Sequence, residues 1–262
     1  MAVGKECDMI FRCANSGSSG NSYALVAESG EILLIECGVK WAETMKMIDY
    51  QTSKVVGCIC SHAHSDHLRS YKDCLHYGMP IYTNDETADH FEIISGEKMI
   101  GLPERIPKRI GSWTVIPFYL PHTTRDKETG ALIPCPNFGY LVEHEEMGKL
   151  LYMTDMEYSP LSFKNQRINH LVIEANYCDD LVDHADANHS HRLRGHCSLR
   201  TCKGIVEVNK TPDLRTVTLI HLSDSAADPE RMKSEIQDTA GKWVNVEVAH
   251  AGIELILSKY PW

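Results

Sequence analysis

The sequence predicts a layered α/β fold built on a mixed sheet, and three observations carry that prediction. Residues 31–94 alternate short apolar runs with segments of helical spacing, residues 113–153 hold successive strand-like runs with little helix between them, and residues 170–257 return to the alternation. At 262 residues, 43 % of them hydrophobic, the chain can bury a full core and is read as one domain over residues 1–262.

Taken in order, residues 16–22, Ser-Gly-Ser-Ser-Gly-Asn-Ser, are dense in turn formers and predict a tight loop exposing backbone N–H groups, either a plain turn or an anion cradle. Residues 23–27 and 31–37 read as a hairpin around Glu-Ser-Gly-Glu at 28–31, with Gly38 breaking its second strand. Glu36, at that strand's end, is either solvated or a support behind a metal ligand. Trp41, Met45 and Ile48 recur at helical spacing, and the apolar run 55–60 predicts a buried strand. Leu68, Tyr71 and Leu75 suggest a helix, followed by a strand at 80–83 and a helix at 85–94. Strands are expected at 113–120, 139–143 and 149–153, with a polar loop from 123 to 137 long enough to border a site. The last third reads as strand 170–175, helix 198–208, strand 216–222, helix 228–239 and a final strand 244–257.

The formal net charge is -10, from 36 acidic and 26 basic residues, which argues against a long nucleic-acid track, since a phosphate chain calls for a basic face. No apolar run approaches the ~20 residues needed to span a bilayer, and nothing at the start resembles an export signal, so a cytoplasmic protein without membrane contact is expected. The ten cysteines are scattered, many sit in apolar runs, and no C-x-x-C pair occurs; reduced, buried thiols are expected.

The run Ser61-His62-Ala63-His64-Ser65-Asp66-His67 dominates the chemistry. It places four candidate metal ligands within six residues, directly after a buried-type strand. In an extended segment His62 and His64 point the same way, whereas a helix beginning near Asp66 sends that carboxylate and His67 in a second direction, so one short segment can serve two cations. Five strands each deliver a polar residue at or near the C-terminal end, namely His62, His122, Asp155, Glu174 and His221, where ligands cluster in layered α/β sheets. His62, His64 and His122 are assigned to one metal, Asp66, His67 and His221 to another, with Asp155 able to bridge. Imidazole-rich sites with some carboxylate suit two zinc ions, with manganese also compatible. Arg192 and Arg194, in a His-rich polar stretch before His196, are candidates for gripping a phosphate oxygen in bidentate fashion.

These motifs resemble the metallo-β-lactamase superfamily, almost end to end. The superfamily's first motif corresponds to residues 62–67, its second to His122, its third to Asp155 and its last to His221. Ser-Gly-Ser-Ser-Gly-Asn at 16–21, Ile-Glu-Ala-Asn at 173–176, Gly-His-Cys-Ser at 195–198 and His-Leu-Ser at 221–223 are similar to signatures of the ribonuclease Z-like and YycJ-like hydrolases. The resemblance implies a four-layer αββα sandwich and phosphodiester hydrolysis by a metal-dependent enzyme. It also implies that Asp66 assists the nucleophile, that His196 protonates or polarises the leaving oxygen, and that Glu174 orients His196. Phage enzymes that destroy cyclic-nucleotide signals, of the anti-Pycsar type, resemble the same group. The expected substrate is therefore a small nucleotide, foremost a cyclic mononucleotide; the alternatives are a 5′-exonuclease or other nuclease acting on short nucleic acid, then a lactonase or thioesterase. Relatives of this group are often dimers, so a homodimer is expected.

Overall fold

The computed structural model describes residues 9–91, 99–126, 128–182 and 194–261. The N-terminal half runs β1 (Met9–Asn15), β2 (Ser22–Val26), β3 (Ile32–Ile35), α1 (Trp41–Met47), β4 (Val55–Ile59), α2 (Ser65–Leu68), α3 (Tyr71–His76), β5 (Ile81–Thr83), α4 (Asp85–His90) and β6 (Met99–Gly101). It continues through β7 (Lys108–Ile110), β8 (Trp113–Tyr119), β9 (Thr123–Arg125), β10 (Leu132–Pro134), β11 (Phe138–His144), β12 (Gly148–Met153) and β13 (His170–Glu174). The described elements end with α5 (Leu199–Asn209), β14 (Thr216–Ile220), α6 (Pro229–Ala240), β15 (Asn245–Val248) and β16 (Glu254–Leu257).

Two seven-stranded sheets form, in the orders β16-β1-β2-β3-β4-β5-β6 and β15-β14-β13-β12-β11-β8-β7. Strands β3 to β6 pair parallel, as do β12 to β15, and the remaining pairings within both sheets are antiparallel. The sheets face each other across a core in which Phe11, Tyr23, Leu33 and Ile59 meet Trp113, Tyr140, Tyr152 and Val172. Each such side chain removed from water contributes on the order of 1.5–3 kcal/mol. On the far face of the first sheet, Leu34 and Cys58 pack with Met47, Leu68 and Leu75 of α1, α2 and α3. On the far face of the second, Leu151, Ile173 and Leu219 pack with Ile205 of α5 and Ile236 of α6. The layering is the expected αββα sandwich.

Helix starts follow their caps. Ser198 accepts from the Thr201 amide at 3.1 Å to open α5, and Asp228 accepts from the Arg231 amide at 3.1 Å with Pro229 as the first residue of α6. Asn84 does the same for α4, which ends at His90 rather than continuing to 94; residues 92–98 lie outside those described.

Several strand assignments differ from the sequence reading, which places no strand at β6 or β7. The expected strand 244–257 is two strands in different sheets: after β15 the chain turns at Gly252, whose φ of 84° and N–H bond to the Cys13 carbonyl carry it across to β1. The polar loop 123–137 contains the hairpin β9–β10, pairing Thr124 with Ile133. Strand β1 precedes the first predicted strand and alternates buried Met9, Phe11 and Cys13 with half-buried Ile10 and Arg12, a period-two signal blurred because Ile10 is itself apolar.

The nine described cysteines are all free, and eight are buried. The Cys60 sulfur lies 3.5 Å from that of Cys58 and 3.9 Å from that of Cys37. Their backbone N–H groups are all directed at carbonyls, of His67, Pro80 and Tyr82, and burial raises the Cys58 and Cys60 thiols well above their ordinary value. With no backbone amide donating to these sulfurs among the described residues, and with burial raising their thiols, they pack as neutral, small apolar groups. Among the described residues no helix is long and apolar enough to cross a membrane.

Candidate metal centre

Parallel pairing puts the C-terminal ends of β12, β13 and β14 at one edge of the second sheet, and β8, antiparallel to β11, ends there too. His122, Asp155, Glu174 and His221 stand at or just beyond these ends, opposite the turn after β4 that carries His62 to His67. All seven metal candidates named from the sequence come together here, with Glu174 and His196 beside them.

The first cluster consists of imidazoles. His64 Nδ1 lies 2.8 Å from His62 Nε2 and 3.3 Å from His122 Nε2. His122 Nδ1–H donates to the Gly195 carbonyl at 2.8 Å, which leaves a lone pair on Nε2. Burial, only partly opposed by Asp155, lowers the His122 pKa to about 3, and burial also holds His62 well below the usual imidazole range. Buried rings held neutral, with His62 Nε2 and His122 Nε2 both directed at His64 Nδ1, form a donor set that fits a metal ion.

The second cluster has the opposite electrostatics. Asp66 Oδ2 lies 3.4 Å from His67 Nε2 and 3.3 Å from His221 Nε2, and Asp155 Oδ2 lies 3.1 Å from His67 Nε2. Burial disfavours charge on both imidazoles, yet Asp155 and its neighbouring carboxylates outweigh it, lifting His221 to about 10 and His67 well above its ordinary value. Burial likewise works against ionised Asp66 and Asp155, and the two imidazolium rings overcome it, holding both carboxyls well below their usual range. A site that retains protons this firmly is built to hold positive charge, which suits a second cation.

A layer of polar partners fixes the ligands. Glu36 is fully buried, meets His67 Nδ1 at 3.4 Å and accepts from the Ser61 amide at 3.2 Å and the Tyr152 hydroxyl at 3.1 Å, so of its two sequence readings the support behind a ligand matches this placement. Glu174 Oε1 receives His196 Nδ1–H at 2.7 Å and His221 Nδ1–H at 3.0 Å, while its Oε2 accepts the amides of Cys197 and Met156. The His196 and His221 rings stack, with centroids 5.2 Å apart. Glu36, Asp155 and His221 adopt left-handed backbone with φ of 61°, 50° and 55°, a strain of roughly 1–3 kcal/mol apiece that the surrounding hydrogen bonds hold in place.

Four buried asparagines hold the backbone that presents these ligands, and the sequence reading gave none of them a role. Asn21 donates to the Asp66 carbonyl at 3.3 Å and Asn84 to the Ser61 carbonyl at 3.1 Å. Asn137 reaches the Asp155 carbonyl and Asn176 the His221 carbonyl, each at 2.7 Å. Asn21 and Asn176 close two of the motifs already quoted, at 16–21 and 173–176, whereas the signal of Asn84 and Asn137 is position alone, in a turn or at a strand end. Asn21 also settles the loop at 16–22 as a brace, with Ser16 Oγ accepting the His221 amide at 2.9 Å.

Arg194 is exposed; its carbonyl accepts from Thr123 Oγ1 at 3.3 Å, and its guanidinium makes no hydrogen bond or ion pair with a described residue. Arg192 lies outside the described residues. A separate cavity of about 1120 Å³ opens at the other end of the second sheet, beside His144, Lys149 and Arg215, and contains none of the ligand candidates.

No family model matches the chain, and no curated protein matches it by sequence. Solved structures match its fold. The metallo-β-lactamase fold protein YhfI from Bacillus subtilis superposes with a TM-score of 0.71 at 18 % identity, covering 95 % of this chain and 99 % of that one. Unliganded yeast PDE1 gives 0.71 at 12 % identity, covering 96 % and 100 %, and the short form of human tRNase Z gives 0.62 at 16 % identity, covering 95 % and 99 %. The chain has the metallo-β-lactamase fold.

Proposed function

We propose that the protein is a dinuclear-metal phosphodiesterase whose substrate is a small nucleotide, foremost a cyclic mononucleotide. The observation that carries this reading is the Glu174–His196 pair, 2.7 Å apart, set beside two converged ligand clusters. Hydrolysis of a phosphodiester expels an alkoxide, a poor leaving group that needs a proton, whereas a lactonase or thioesterase has less need of one.

His62, His64 and His122 would hold one cation, Asp66, His67 and His221 the other, and Asp155 lies between them. When bound, zinc or manganese would supply Lewis-acid stabilisation of the phosphoryl oxygens and a water acidic enough to ionise near neutral pH. The chain's own residues do the rest. Glu174 Oε1 holds the Nδ1 proton of His196 and so orients the ring; Nε2 is the atom from which a proton passes to the leaving oxygen. Asp66 Oδ2, 3.3 Å from His221 Nε2, orients the attacking water. Arg194, exposed beside Gly195, would grip a non-bridging oxygen of the substrate, and Arg192 is assigned the same role from sequence alone.

The acidic balance favours a small substrate over a long polyanion. We place the enzyme in the cytoplasm as a homodimer, with Ile256 on edge strand β16 (56 % exposed) and Tyr260 (59 % exposed) in the contact; a monomer in sedimentation would remove that part. The deciding experiment is turnover by the zinc- or manganese-loaded protein of a cyclic mononucleotide panel beside 5′-phosphorylated single-stranded DNA. Hydrolysis of the cyclic substrates is expected; cleavage of DNA alone would replace this reading with the nuclease one.

A further inference from the structure

The three imidazoles of the first cluster do not present the same atom. His62 and His122 turn Nε2 inward, whereas His64 turns Nδ1. An imidazole offers a lone pair at one nitrogen only when its proton sits on the other, so each ring depends on what its outer nitrogen meets. For His122 that partner is the Gly195 carbonyl, which only accepts. For His62 it is Ser61 Oγ, at 2.9 Å and adjacent in sequence. For His64 it is Thr124 Oγ1, at 2.9 Å from Nε2 and 60 residues away.

We propose that Thr124 is a positioning residue that fixes His64 in its Nε2–H tautomer and so aims the Nδ1 lone pair at the first cation. This rests on the reading of the three-imidazole cluster as a metal site and adds the element that controls it. Thr124 is held from both sides. It lies in β9, paired with β10 through Ile133, and just past β10 the Cys135 amide donates to the His122 carbonyl at 2.9 Å. Next to it, Thr123 Oγ1 donates to the Arg194 carbonyl at 3.3 Å, in the segment leading to His196. The hairpin therefore ties the position of the Thr124 hydroxyl to a second ligand and to the His196 loop. A β-branched side chain on a strand has few χ1 choices, so the hydroxyl is preset rather than recruited.

Thr124→Val keeps the shape and the strand preference and removes only the hydroxyl, which in this assignment accepts the His64 Nε2 proton; Thr124→Ser restores it. Removing an outer partner of a ligating histidine typically weakens metal binding ~10–100-fold. The test is chelator competition resolving each bound zinc ion, together with long-range nitrogen–proton NMR of His64 in the metal-free protein. The expected result is Nε2–H at His64 in the wild type, a mixture of tautomers and at least tenfold weaker zinc binding in Thr124→Val, and recovery of both in Thr124→Ser. Wild-type zinc affinity in Thr124→Val, or an Nδ1–H tautomer at His64 in the wild type, would overturn the assignment. If wild-type protein bound no zinc at all, the metal reading would fail, while the NMR tautomer would still decide the role of Thr124.

Discussion

Gly38 is the residue at which one added methyl group should do most harm to the centre. A Cβ built there would overlap the carbonyl group of Asp66 and lie 2.7 Å from the His67 amide nitrogen, where ordinary contact begins at 3.4 Å; the His67 contact alone asks for 0.7 Å (3.4 − 2.7), and relieving the overlap with the Asp66 carbonyl asks the turn bearing both ligands to retreat by more than that. That turn cannot retreat freely, because the Asp66 carbonyl accepts the Asn21 amide at 2.8 Å and the His67 carbonyl accepts the Cys37 amide at 2.9 Å. Overpacking of this kind costs about 1–3 kcal/mol. Displacement of catalytic groups by about 1 Å lowers turnover on the order of 10²-fold. The matched control is Gly204→Ala in α5, where a Cβ meets nothing within 4 Å and a gain of up to ~1 kcal/mol is expected from helix preference. Bound metal would be counted by mass spectrometry after dialysis, with Tm by circular dichroism and kcat on the best substrate. Loss of one metal equivalent and of most turnover in Gly38→Ala, with neither in Gly204→Ala, is the expected pattern; two tightly held ions and wild-type kcat in Gly38→Ala would refute the steric argument.

Four other outcomes follow from the same geometry. Asp66→Ala should abolish turnover while leaving the far-ultraviolet spectrum native, and retention of more than a tenth of wild-type kcat would remove Asp66 from the reaction. His196→Ala should keep both metals and lose about 10²–10⁴-fold in kcat, with a smaller loss on substrates bearing an acidic leaving group; equal losses on both would deny it the proton-donor role. Arg194→Ala should raise KM with little change in metal content, and an unchanged KM would sink the idea of a phosphate grip. His170 is fully buried between Met147 O and Thr216 Oγ1, and burial lowers its pKa to about 3. Below pH ~6.5 the unfolded chain binds a proton there that the native protein refuses, so its contribution is whole above pH 6.5 and falls by about 1.4 kcal/mol per unit as the pH drops toward 3. Urea unfolding at pH 4.5 and 7.5 should show a shallower pH dependence for His170→Gln than for the wild type, and parallel curves would contradict the assignment.

What was legible in the sequence was local. The claw at residues 62–67 announces itself because its four ligands sit within six residues of chain, and His122, Asp155 and His221 stand where strand periodicity ends, so their convergence follows from parallel pairing. The hairpin β9–β10 was hidden because its strands are three residues each and Thr124 finds its partner in a histidine 60 residues earlier, whereas β1, seven residues paired with β2 and β16, was hidden because apolar Ile10 and Ala14 on its outer face blur the alternation. The four asparagines were hidden for a related reason. An asparagine at a strand end looks like any turn former, and only the folded chain reveals that its amide reaches a carbonyl next to a ligand. The two kinds of residue have different tolerances. A ligand acts through the identity of one atom, so its chemistry can be read from residue type and spacing. A brace acts through a distance between two segments, and replacing Asn84 or Asn137 by Asp would keep the shape yet turn a donor into an acceptor facing a carbonyl. The chemistry of this centre is therefore written in its histidines and aspartates, while its precision resides in neutral amides, one glycine and one threonine that no spacing rule selects.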